Sequence, residues 1–182
     1  MRFGAVSARI YGLLHRRSPG NRIVVDLAEL KSDDYALEVG CGPGTALALA
    51  AERIGADRVA AVDPSPTFVS MVRNRIPGAD VRVAGAEDLP FDDDSFTVIW
   101  AIASMHHWTD RDAGLATLTA KLAPGGRLLL AERLLDVPGH GITTEQLGEV
   151  TAKLADLGHT DIRTVERRSK RRTIMIIRSH RP

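Results

Sequence analysis

The stretch Leu37-Glu38-Val39-Gly40-Cys41-Gly42-Pro43-Gly44-Thr45 decides how this chain folds. A short apolar strand, Tyr35 to Val39, runs into glycines at 40, 42 and 44, and an Ala- and Leu-rich segment of good helix propensity follows from Thr45 to Ile54. Glycines permit positive φ and leave no side chain on a contact surface, as nucleotide-binding turns of open α/β sheets require. Asp63 closes the next strand, Arg58 to Asp63, 19 residues after Gly44, where a carboxylate accepts hydrogen bonds from both hydroxyls of a ribose. Glycine spacing alone also describes a plain tight turn, but loop, strand order and Asp63 agree on a ribose site. A nicotinamide turn, G-x-G-x-x-G, wants its third glycine where Thr45 stands. Glu38 would repel a pyrophosphate, whereas it favours a cationic amino group. These residues fit a ligand with a ribose, a positive charge and no phosphate.

Outward from this stretch, strands and helices alternate. Ser65 is positioned as N-cap of a helix from Pro66 to Arg75, with Pro66 at its first turn. Asp80 to Ala86 and Phe96 to Ile102 read as strands, and Thr109 to Leu122 as a helix that Ala123-Pro124-Gly125-Gly126 terminates before a fifth strand, Arg127 to Leu134. Thr143 and Gln146 form a capping box for a helix with Leu147, Val150, Leu154 and Leu157 on one face. Asp161 to Arg167 and Thr173 to Ser179 are strands joined by a short basic turn, hence antiparallel, while the earlier helical crossovers imply a parallel sheet. On the amino-terminal side, Phe3, Val6, Ile10, Leu13 and Leu14 recur at helical spacing, Ser18-Pro19-Gly20-Asn21 is a break, and residues 22 to 30 read as a second helix.

The 182 residues, 44% hydrophobic and 26% charged, suit one compact domain over 1–182: a helical amino-terminal segment at 1–30, a core at 35–134, and a last helix with a strand pair at 143–182. One cysteine, Cys41, excludes an intrachain disulfide and a cysteine-built metal site, and it fits a reducing, cytoplasmic setting. No apolar run approaches the roughly 18 residues of a membrane span. The amino-terminal arginines also resemble an organelle presequence, but an amphipathic helix docked on the domain explains the same spacing.

A net charge of +1 conceals a segregation. The first 22 residues carry +5, residues 163 to 182 carry +7, and the stretch between them carries −11. The two basic ends are solvated faces, or they attract an anionic substrate, a nucleic acid or an acidic protein. Aromatic residues, 4% of the chain, are too sparse for stacking on single strands, so nucleic acid is the less favoured of these.

Four motifs in order together resemble one family, the class I S-adenosylmethionine-dependent methyltransferases, within it the small-molecule type 11 group similar to ubiquinone and menaquinone biosynthesis methylases. They are the glycine loop from Glu38 to Gly44, Asp63, Glu87-Asp88-Leu89-Pro90-Phe91 with Asp94-Ser95-Phe96, and Leu122-Ala123-Pro124-Gly125-Gly126-Arg127-Leu128. The resemblance implies a Rossmann-like α/β three-layer sandwich whose mostly parallel sheet runs 3-2-1-4-5-7-6 with strand 7 antiparallel. It implies S-adenosylmethionine as cofactor, held by Glu38, Gly40, Cys41, Gly42, Gly44, Asp63, Pro64, Ala86, Glu87 and Ala101. Where relatives read Gly-Asp-Ala-Glu this chain reads Ala84-Gly85-Ala86-Glu87, so a carboxylate that would contact adenine is absent and a weaker site is expected.

Methyl transfer needs alignment and exclusion of water, and a base when the acceptor must lose a proton. Met105-His106-His107-Trp108 matches the family's histidine-bearing segment after strand 4, so His106 and His107 are the candidate bases, each equally suited to capping or packing the next helix. No metal is expected there, since adjacent histidines rarely share an ion and no acid cluster accompanies them. The segment after strand 4 lacks the Asn-Pro-Pro-Tyr-like motif of nucleic-acid amino methyltransferases, and no second thiol supports cytosine or arsenite chemistry. A small-molecule acceptor, possible homodimerisation to complete a site that only residues 135 to 142 cover, and attraction of anions by the 167–172 turn complete the expectation. A non-catalytic cofactor-binding regulatory protein is the alternative.

Overall fold

The computed structural model describes residues 19–169 and 172–182, so the amphipathic helix expected within the first 17 residues and the centre of the basic turn at 170–171 lie outside the described residues. Helix α1 (Pro19–Leu27) is followed by β1 (Ala36–Val39), α2 (Thr45–Ile54), β2 (Val59–Asp63), α3 (Pro66–Arg75), β3 (Asp80–Val83), β4 (Phe96–Ile102), α4 (Arg111–Lys121), β5 (Leu122–Arg133), α5 (Thr144–Asp156), β6 (Thr160–Ser169) and β7 (Arg172–His180). Within the break expected at Ser18 to Asn21, the described residues Pro19 to Asn21 instead start α1: proline in a first turn gives up an N–H that has no helical partner anyway. Ser65 caps α3, its Oγ accepting from the Phe68 N–H at 3.5 Å, and both halves of the Thr143–Gln146 capping box form.

The seven strands form one sheet in the order 3-2-1-4-5-7-6. Strands β1 to β5 pair in parallel and β7 lies antiparallel between β5 and β6, so β6 runs in the direction of β5. The Pro-Gly-Gly turn does not lie outside the sheet as expected. Leu122 pairs with Phe96 and Arg127 with Val98, so Ala123 to Gly126 is a bulge inside β5. The Arg181 backbone bonds both Gly125 and Gly126, which gives the bulged amide and carbonyl partners in place of a ladder.

The central strands bury both faces, hence their nearly continuous apolar runs. On one side Leu37, Val39, Ile99, Leu128 and Leu130 meet α4 and α5 through Leu115, Leu118, Val150 and Leu154. On the other, Ala36, Val98, Trp100 and Leu129 meet α1, α2 and α3 through Val24, Ala28, Leu47, Ala50 and Val72. No helix among the described residues is long and apolar enough to cross a membrane.

A buried polar knot ties the entry of β1 to the middle of the sheet. Arg127 donates through Nη2 to Asp34 Oδ2 and through Nε to the Ala28 carbonyl at 3.1 Å, while Asp34 also accepts from the Lys31 N–H and the Thr97 hydroxyl, each at 2.7 Å. Burial raises the Asp34 pKa, but these donors outweigh it and hold the carboxyl below its ordinary range. Because removing one partner strands the other charge, Arg127→Met is expected to cost about 3 to 5 kcal/mol, read as a lower urea midpoint at unchanged slope. Adding Asp34→Asn to that variant should cost far less than it does alone.

Candidate cofactor and acceptor site

The site lies at the carboxyl ends of the parallel strands, where open α/β sheets bind ligands. Its floor is the glycine loop, with Gly40, Gly42 and Gly44 at φ of 74°, 50° and 70°. The three glycines do different work. A Cβ at Gly40 would stand 2.0 Å from the Ser104 Oγ, and one at Gly44 2.8 Å from Val72 Cγ2, so these two are demanded by the protein's own packing. A Cβ at Gly42 would meet nothing within 4 Å, so packing within the described residues does not account for this glycine. The Gly42 N–H donates to Asp63 Oδ2 at 2.8 Å and the Ser65 N–H to Oδ1 at 2.8 Å, which fixes the carboxylate and leaves each oxygen a further lone pair.

Beneath the loop two acids are buried close to Cys41. Burial raises the Asp63 pKa, and the Ser65 and Gly42 amides offset part of that rise. Glu38 is pushed up to about 8, chiefly by burial, and its Oε2 makes no hydrogen bond among the described residues. The Leu47 amide and the Trp100 indole pull the value back, and the Asp63 charge raises it further. Thr45 Oγ1, at the first turn of α2, is likewise buried without a partner. The Cys41 thiol is held well above its ordinary value by burial and by the two carboxylates, which disfavours its thiolate.

Of the other candidates, Pro64 is exposed at the end of β2, and Ala86 and Ala101 are buried, 3% and 1% exposed. Glu87 is committed: its Oε1 accepts from the Thr109 and Asp110 amides at 2.7 and 3.1 Å, tying the segment after β3 to the start of α4. A Cβ at Gly85 would approach Glu87 Oε2 to 2.9 Å, so a larger residue at 85 must displace the carboxylate that holds this tie.

The acceptor side is built from the turn after β4 and the loop after β5. Met105 to His107 form one 3-10 turn, in which the Trp108 indole donates to Ser104 Oγ at 3.2 Å. His106 Nδ1 lies 2.9 Å from Glu132 Oε2, and the His106 backbone N–H donates to the other Glu132 oxygen at 3.3 Å. Partial burial, then the neighbouring His106 and His140 rings, hold the exposed His107 below its ordinary pKa. His140 is the residue that motif reasoning does not reach: it stands alone in Pro138-Gly139-His140-Gly141, and only the isolated bridge of Leu134 to Ile142 brings it to the other two. Between these segments and α5 opens a cleft of about 220 Å³, lined in part by Met105, His106, Trp108, Arg111, Ile142 and Gln146.

The carboxyl-terminal basic charge is partly spent inside the fold. Arg178 pairs with Glu29 and Arg181 with Asp94, and Arg163 and Arg168 pair with acids on their own strand. Among the described residues Arg167 is exposed near the outgoing end of β6, its Nη1 donating to the Glu166 carbonyl.

Fold and site together define an α/β domain with a glycine-loop floor of nucleoside-binding type and, beside it, a second cleft that His106 lines. Residues 37–130, more than half the chain, match the methyltransferase domain family, and the chain belongs to it: a class I S-adenosylmethionine-dependent methyltransferase domain of type 11. It is 39% identical over 121 residues to methyltransferase GfsG of Streptomyces halstedii, covering 62% of this chain and 44% of that protein. It is 36% identical over 137 residues to trans-aconitate 2-methyltransferase of Azoarcus sp. strain BH72, covering 71% and 52%. A SAM-dependent methyltransferase from Aquifex aeolicus superimposes with a TM-score of 0.76 at 16% identity over 98% of this chain and 99% of that one, a likeness of fold. The chain spans about half the length of these curated relatives or less.

The residues present fit S-adenosylmethionine. The open face of Gly42 admits it, the Asp63 lone pairs suit the ribose diol, and the orphaned Glu38 oxygen wants a cation. Two outcomes test this assignment. Gly42→Ala should lose about 1 to 2 kcal/mol of stability, from its left-handed φ, yet lose cofactor affinity outright, whereas Gly40→Ala should unfold at a distinctly lower temperature; paired thermal melts and cofactor titrations separate the two. For Glu38, the unfolded carboxyl ionises near 4.5 and the folded one at about 8, so its stabilising contribution is complete below pH 4.5 and is lost as pH rises through 8. Glu38→Gln lacks that dependence and should therefore gain on the parent between pH 5 and pH 9, by on the order of a few kcal/mol; parallel stability curves from urea melts would refute the assignment.

Proposed function

We propose that this chain is the catalytic domain of a methyltransferase that moves the methyl group of S-adenosylmethionine to a small-molecule acceptor. The single observation that carries this reading is the unpartnered, buried Glu38 oxygen beneath an open glycine loop, set beside a cleft that presents His106 on Glu132. The cofactor supplies a methyl group already activated on a sulfonium. Asp63 would orient the ribose, the Gly42 backbone would permit close approach, and Glu38 would meet the cationic amino group. The acceptor would lie in the cleft between the 105–108 turn and the 135–142 loop, beside Trp108.

Glu132 holds the His106 ring by Nδ1, which leaves Nε2 as the proton acceptor for an oxygen or nitrogen nucleophile. An anionic acceptor is supported by the exposed Arg167 and by the relative named for trans-aconitate, whereas Arg111 in the cleft wall is already paired with Glu149. The buried Cys41, with no second cysteine, supports a reducing compartment such as the cytoplasm.

The test is transfer of label from methyl-labelled S-adenosylmethionine to a panel of small carboxylic acids and phenols and to metabolite extract. We expect a labelled acceptor, and a fall in kcat of roughly 10²-fold or more for His106→Asn with cofactor affinity unchanged. Binding without transfer to any acceptor would replace this reading with a regulatory cofactor-binding protein, and no binding at all would overturn both.

A further inference from the structure

Three histidines converge at the rim of the acceptor cleft. His106 and His107 come from the turn after β4 and His140 from the loop after β5, and one ligand-capable nitrogen of each lies within 4.8 Å of the others. The His106 and His107 rings are 4.0 Å apart between centroids, and His140 is 5.6 Å from each. Adjacent side chains on a tight turn normally diverge; here both rings face the same third ring.

The set has the supporting contact that a metal ligand needs. Glu132, 3% exposed, accepts from His106 Nδ1 and from the same residue's backbone N–H, so the ring is fixed with Nε2 directed away from the carboxylate. A carboxylate on the remote nitrogen raises the basicity of a ligating histidine and sets its tautomer. No carboxylate is among the three donors, which disfavours the hard cations magnesium and calcium and suits zinc, nickel, cobalt or copper.

We propose that His106, His107 and His140 form a site for one divalent transition metal of the zinc class, with three imidazole nitrogens and a coordination position left open toward the cleft. Zinc–nitrogen bonds of about 2.0 to 2.1 Å imply nitrogens roughly 3.4 Å apart in a tetrahedron. The donors must therefore close by no more than about 1.5 Å from the observed spread. His107 and His140 are both exposed, and His140 stands between two glycines on an exposed loop, so rotation of these side chains supplies that closure. The site stands apart from the methyl-transfer reading, because binding is a property of the three rings whether or not an acceptor is ever methylated. It bears on that reading in one way: a metal takes the His106 lone pair, and a metal-bound water then stands where the free ring would accept a proton.

The tag-free 182-residue chain, stripped with chelator, is titrated with zinc by calorimetry and with cobalt by visible absorption. One metal per chain is expected, with ligand-field bands of nitrogen-bound cobalt. His140→Asn and His107→Asn should each weaken zinc at least tenfold while circular dichroism and cofactor binding stay as in the parent, and Glu132→Gln should weaken it about 10- to 100-fold. His180→Asn, a histidine outside the cluster, should leave it unchanged. Undiminished zinc binding in His140→Asn, absence of stoichiometric binding in the parent, or magnesium binding as tightly as zinc would each overturn the proposal.

Discussion

The approach of Gly40 to Ser104 is the contact on which the site depends. A side chain at 40 would occupy the space of the serine hydroxyl, so the loop after β1 and the turn after β4 close on each other without an intervening atom. Ser104 Oγ also accepts a hydrogen bond from the Trp108 indole N–H, and His106 follows two residues later on the same turn. The glycine-loop floor and the cleft that His106 lines are thus fixed relative to one another by a hydroxyl and a missing Cβ. Alignment of donor and acceptor, the chief demand of methyl transfer, begins in that contact.

Much of the fold is legible in the chain itself. The bounds Thr45–Ile54, Pro66–Arg75 and Phe96–Ile102 follow from propensity, a Ser-Pro cap and an apolar run, and the structure reproduces them. Local chemistry misleads where a turn is absorbed by pairing: Pro124-Gly125-Gly126 is a sound turn signal, yet Leu122 already lies in the sheet and Arg181 satisfies the bulge from the far end of the domain. The strand order came from family resemblance, because spacing does not say that β7 enters between β5 and β6. In the site, Gly42 and Gly44 look alike in sequence, and only the position of Val72 separates a glycine required by packing from one open to a ligand. His140 carries no periodicity and no motif, and its place beside His106 is a property of the sheet.

The charge pattern changes meaning once folded. Acidic centre and basic ends suggested a surface divided by sign, but Arg178 finds Glu29 across most of the chain's length and Arg181 finds Asp94 from the middle of it. Arg127 and Asp34 do the same inside the core, at a desolvation cost that only their full set of hydrogen bonds offsets. Segregation along the sequence here serves partly to join the last strands to the first elements, and so leaves less free positive charge than a count suggests.

The insertion of β7 also dictates an order of events when the chain is made. Strand β6 emerges before β7 but has no place in the sheet until β7 lies between it and β5. Until then β5 presents a bare edge from Arg127 to Arg133, apolar from Leu128 to Ala131, while β6 waits unpaired. A nascent chain paused at this stage holds a nearly finished core beside an unpaired template for another strand. The carboxyl-terminal hairpin therefore guards against edge-to-edge aggregation during synthesis, and mutations that slow its docking would lower yield before they lowered the stability of the finished molecule.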